Sequence, residues 1–62
     1  MTTTKAWDCV VIYTTRTGAT GEARLTVEHP DCEMAAIEAE HRVLADKALN
    51  ASTVEYSDAV QL

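Results

Sequence analysis

The side chains in this sequence that could bind a metal or carry nucleophilic chemistry are Cys9, His29, Cys32 and His41. Two cysteines and two histidines suggest zinc first, and His29 and Cys32 are close enough in the chain to chelate together. The remaining spacing argues against it. Cys32 and His41 fall on one helical segment about 13 Å apart along its axis, whereas the ligands of a single zinc lie ~2.0–2.3 Å from the metal. The sequence has no Cys-x-x-Cys pair. No metal and no cofactor are therefore expected.

Catalysis fares no better. Neither histidine has a serine or cysteine and an acid at a spacing that suggests a triad, and a chain of 62 residues has little volume for a water-poor pocket. A non-enzymatic protein is expected. Cys9 reads as a small hydrophobe in a strand, Cys32 as part of a first helical turn, His29 as a strand-to-helix corner, and His41 as a packed residue in an apolar helical stripe. Gly18-Ala19-Thr20-Gly21 has the outline of a phosphate-binding loop, but such a loop feeds a helix and is followed by Lys-Ser or Lys-Thr. Here the glycines join two strands and Glu22 follows, so the segment is a hairpin turn.

Those residues are held by four elements. Ala6 to Thr15 is rich in β-branched and aromatic residues and reads as a strand. Its two faces are both apolar, with Trp7, Cys9, Val11 and Tyr13 on one and Ala6, Val10 and Ile12 on the other. Glu22 to His29 alternates cleanly, as a half-exposed strand does. A helix is expected over 31–49, with Asp31 at its N-cap and Asn50 offering a left-handed cap. At about 100° per residue, Met34, Ile37, His41, Leu44, Ala45, Ala48 and Leu49 share one stripe, and Ala36, Ala39 and Val43 fall opposite it. Glu38, Arg42 and Asp46 form an i,i+4 ladder. A third strand is expected over 53–57, with 58–62 either its continuation or a tail, and residues 1–5 a flexible start.

The order β-β-α-β gives a single α+β domain with a three-stranded antiparallel sheet in the order 2-1-3. The strand apolar on both faces belongs in the centre. One helix covers one face. We expect the aliphatic set Val10, Ile12, Leu25, Val27 and Val54 beneath it, leaving Trp7, Val11 and Tyr13 on the open face as partner anchors.

Composition narrows the partner. The chain carries a net charge of −5, and much of its 47% hydrophobic content is alanine. No apolar run reaches the ~20 residues of a membrane span. The basic residues Arg16, Arg24, Arg42 and Lys47 are scattered, without aromatic interleaving, so direct nucleic-acid binding is not expected. Glu22, Glu28, Glu33 and Glu40 instead offer electrostatic complementarity to a basic partner, such as a nucleic-acid-binding protein. Two cysteines without an export signal suggest reduced thiols and a cytoplasmic location.

A small, acidic β-β-α-β protein of this kind is similar in size and charge to inhibitor proteins encoded by phages and mobile elements, the anti-CRISPR proteins among them. The resemblance spans the chain as a type and carries no shared motif, so it assigns no site residue. It implies a stoichiometric inhibitor of a host machine, such as a CRISPR complex, acting in the host cytoplasm. The alternative is a homo-oligomer, a homodimer in the simplest case, assembled through the open sheet face or the edge strands.

Overall fold

The computed structural model describes residues 3–62. The elements run β1 (Lys5–Thr15), β2 (Thr20–His29), α1 (Cys32–Ala45) and β3 (Ala51–Gln61). The sheet is antiparallel in the order β2-β1-β3. Strand β1 takes the centre because it alone is apolar on both faces and needs a neighbour on each side. The expected flexible start shrinks: Lys5 already belongs to β1, Thr3 and Thr4 have no regular structure, and Met1 and Thr2 lie outside the described residues.

The β1–β2 hairpin closes tightly. The Thr15 amide donates to the Ala19 carbonyl at 2.8 Å, and the Gly18 amide donates back to the Thr15 carbonyl at 3.0 Å. Gly18 has φ +90°, the left-handed position such a turn requires. Strand β3 is longer than expected and less regular. Its register against β1 shifts between Ile12 and Tyr13 and again between Thr14 and Thr15, which leaves Glu55 and Ser52 unopposed as bulges.

The helix ends four residues earlier than its apolar pattern suggests. Asp46 is already extended, with φ −82° and ψ 107°. A turn then leads to Asn50, whose φ of 54° puts the chain into β3. Asparagine tolerates that conformation better than most residues. Asp31 occupies the N-cap without a side-chain cap bond.

The helix covers the face of β1 opposite to the one expected, whereas Leu25, Val27 and Val54 lie on the helix side as expected. Trp7, Cys9, Val11 and Tyr13 are buried beneath it, together with Val27, Ala51 and Ala59. The helical side of the core is Ala35, Ala39 and Val43. Val10 and Ile12 turn outward instead, and Met34, Ile37 and Leu44 are exposed on the outer side of the helix. Volume decides this arrangement. Trp7 and Tyr13 already fill the space above the sheet, so the helix must present its smallest side chains to come close. The alternative pairing would set Met34, Ile37 and Leu44 against those rings, and overpacking of that kind is costly.

Tyr13 supplies a further reason for its own placement. Its ring lies over Gly21, where an added Cβ would sit 2.4 Å from the ring carbon Cζ. The glycine opposite the tyrosine is the site the ring covers. Trp7 is fixed at the other end of β1, where its indole Nε1 donates to the His29 carbonyl at 2.8 Å.

The molecule is elongated, with extents of 44 × 17 × 14 Å and a radius of gyration of 11.9 Å. The helix spans about 21 Å at 1.5 Å per residue, whereas each long strand spans about 35 Å. It lies closer to β3 than to β2. Ala23 and Leu25 on β2 are consequently only half-buried although they face the helix side.

Candidate functional site

The four residues with metal or nucleophile chemistry are dispersed. No group of three potential ligands converges among the described residues. Cys9 is fully buried, its Sγ 3.8 Å from the carbonyls of Trp7 and Ala35. Burial, with the charge of Asp8 adding to it, pushes this thiol above its ordinary pKa and keeps it protonated. Cys32 is exposed, its Sγ directed at the Ala59 carbonyl at 3.7 Å. Both thiols are free. His29 Nε2 meets Glu38 Oε1 at 3.0 Å, and Glu38 also pairs with Arg42. His41, expected to be packed, stands exposed on the outer side of the helix.

The thiols give a first testable outcome. A maleimide or disulfide reagent will modify one cysteine of the native protein, Cys32, and reach Cys9 only on unfolding. Peptide mapping of protein labelled with and without denaturant reads this directly. Labelling of Cys9 at native rates comparable to Cys32 would contradict the buried placement.

The side chains that can engage a partner lie on the open face of the sheet. Alternation along the paired strands places Ala6, Asp8, Val10, Ile12 and Thr14 of β1 there, flanked on β2 by Thr20, Glu22, Arg24, Thr26 and Glu28. On β3 the same face carries Thr53, Tyr56, Asp58 and Val60. Val10 and Ile12 are half-buried by these neighbours, whereas Tyr56 and Val60 are 57% and 60% exposed. The result is an apolar strip of Val10, Ile12 and Tyr56, with Val60 diagonal to Val10. The carboxylates of Asp8 and Asp58 are interspersed with it, and Glu22 and Glu28 lie on its β2 side. Arg24 is the one cation on this face among the described residues, and it is 3.6 Å from Asp8.

This revises the expected contact residues. Trp7, Val11 and Tyr13 are at most 8% exposed and belong to the core, so they cannot anchor a partner in the folded state. Glu22 and Glu28 lie on the open face, Glu22 opposite Ile12 in the apolar strip and Glu28 opposite Ala6 at the end of the sheet. Glu33 and Glu40 lie on the helix, on the other side of the sheet, and the Glu40 carboxylate accepts a hydrogen bond from the Ser57 hydroxyl. Tyr56 and Val60 were not singled out by sequence. The signal was present in the alternation of Tyr56, Asp58 and Val60, but it requires a strand that continues beyond residue 57.

A recess lies on the helix side, along the β2 edge. Ala23, Leu25, Val43 and Leu49 form its floor, with Glu22, Arg24, Arg42 and Asp46 around it, and its volume is about 320 Å³. No helix among the described residues is long and apolar enough to cross a membrane. No family model, no curated protein and no solved structure matches this chain.

Proposed function

We propose that this chain is a non-enzymatic protein-binding module that seats a basic partner surface on its open sheet face. The observation that carries this reading is the coincidence on one face of an apolar strip and carboxylates set in and beside it. Apolar area contributes affinity once it is buried. Charge of one sign selects partners and accelerates encounter. Self-association of this face is disfavoured by the same carboxylates, which would meet their own copies. A basic groove of a nucleic-acid-binding protein has the complementary charge. Blocking such a groove would make the chain a stoichiometric inhibitor, the role of the phage-encoded proteins it resembles in size and charge.

Affinity capture from the native cell with tagged protein tests the reading. Tyr56→Ser combined with Val60→Ser should leave the fold intact and reduce capture at least about tenfold, the scale expected for losing central apolar contacts. Glu22→Gln with Glu28→Gln should weaken capture and flatten its dependence on salt. Ile37→Ser, on the outer side of the helix, should change neither. Capture that survives the open-face changes, or that is indifferent to salt, would overturn the assignment.

A further inference from the structure

The two edges of the sheet are managed very differently. On β3 the ladder is broken by bulges at Ser52 and Glu55. Its flank is further occupied by the Ser57–Glu40 hydrogen bond and by Cys32 Sγ on the Ala59 carbonyl. Bulges and covering groups of this kind stop an edge from pairing with another chain. Strand β2 has neither. Its register against β1 is unbroken from Thr20 to His29, and it contains no proline, no lysine and no bulge.

The hairpin bond from the Thr15 amide to the Ala19 carbonyl sets the alternation along β2. Odd-numbered residues bond to β1, so the amides and carbonyls of Thr20, Glu22, Arg24, Thr26 and Glu28 face outward from the sheet. Beside them lies the recess over Ala23 and Leu25.

We propose that this edge pairs antiparallel with the same edge of a second copy, about a two-fold axis at Thr26, to give a six-stranded sheet. The charge pattern of the strand selects both the occupant and the register. With both helices on one face, only registers that pair residues of equal parity are allowed. Centring on Leu25 sets Glu22 against the partner's Glu28, and centring on Arg24 sets two guanidinium groups together. Centring on Thr26 pairs Arg24 with the partner's Glu28 twice over. It also sets the half-buried Leu25 opposite the partner's Val27 twice, on the helix side of the sheet, and forms about six main-chain hydrogen bonds. Centring on Ala23 pairs Glu22 with Arg24 but brings only Gly21 against Leu25. An interface in which the same patch meets itself closes as a dimer and leaves no further β2 edge to extend. Arg24 and Glu28 lie at the β2 margin of the open face, whereas Tyr56 and Val60 lie on β3 at its far side, so Tyr56→Ser with Val60→Ser should abolish partner capture and leave dimerisation unchanged.

Sedimentation velocity over ~10 μM to ~1 mM protein, a range that covers weak association, tests this with three variants. The wild-type chain should shift with concentration from monomer to dimer. Thr26→Pro should remain monomeric and folded, because the amide it removes faces outward and is not part of the β1–β2 ladder. Glu28→Arg should raise the dissociation constant at least about tenfold, since like charges then oppose each other twice. Adding Arg24→Glu to it should restore dimerisation, a rescue that a purely structural role would not produce. If Thr26→Pro does not fold, the charge swap alone decides. A monomer throughout overturns the proposal and leaves the edge to a strand of a different protein. A dimer indifferent to Thr26→Pro, or a swap without rescue, also overturns it.

Discussion

Trp7→Ala will unfold this protein. The side chain is 8% exposed, holds the Lys5 end of the core and donates its indole N–H to the His29 carbonyl. Truncating a buried tryptophan costs about 3–5 kcal/mol, and a core of this size rarely supplies more than about 3–5 kcal/mol in total. Loss and total stability are therefore of the same order. Circular dichroism should show the variant without its native signal, or with a thermal midpoint far below wild type. Trp7→Phe should fold with reduced stability, keeping most of the apolar volume and losing the hydrogen bond, which is worth about 1 kcal/mol. Tyr56→Ala, on the open face, should stay within about 0.5 kcal/mol of wild type. A Trp7→Ala protein with native spectrum and midpoint would place the indole outside the core.

The second large effect is on the helix. Ala39 is fully buried against the sheet, whereas Ile37 is 44% exposed on the opposite side. Ala39→Leu should destabilise by about 1–3 kcal/mol, because the added side chain must be accommodated between helix and strands that already touch. Helix propensity cannot account for such a loss, since leucine is nearly as good a helix former as alanine. Ile37→Lys should be within about 0.5 kcal/mol of neutral, despite replacing a large hydrophobe with a charge. Urea unfolding of the two variants gives the comparison. The reverse outcome, tolerance at Ala39 and collapse at Ile37, would mean a helix rotated by half a turn.

That pair of substitutions also marks where sequence reasoning succeeds and where it stops. The strand order was readable because β1 is apolar on both faces and β2 on one, a difference that survives any choice of helix face. The position of the helix start followed from Pro30 and Asp31. The choice of face did not follow, because hydrophobic periodicity weighs bulk and ignores fit. Met34, Ile37 and Leu44 make the stronger stripe, but Trp7, Cys9, Val11 and Tyr13 leave room only for Ala35, Ala39 and Val43. Glu22 and Glu28 were legible as surface carboxylates from the alternation of β2. Tyr56 was missed as a contact residue because the bulge at Glu55 separates it from the face of Val54, and Val60 because the expected strand stopped at residue 57. A bulge has no residue-type signature strong enough to show in one sequence.

The length of the molecule has a hydrodynamic consequence. At 44 × 17 × 14 Å the particle is roughly three times as long as it is wide, and its radius of gyration of 11.9 Å exceeds the value of about 10.6 Å that compact chains of this size follow. Friction rises with such asymmetry, so a monomer will elute from a sizing column ahead of globular standards of equal mass and tumble anisotropically in solution. Joining two copies side by side along β2 widens the particle without lengthening it in proportion, so the dimer is the rounder of the two. Mass and elution volume will therefore disagree most for the monomer and least for the pair.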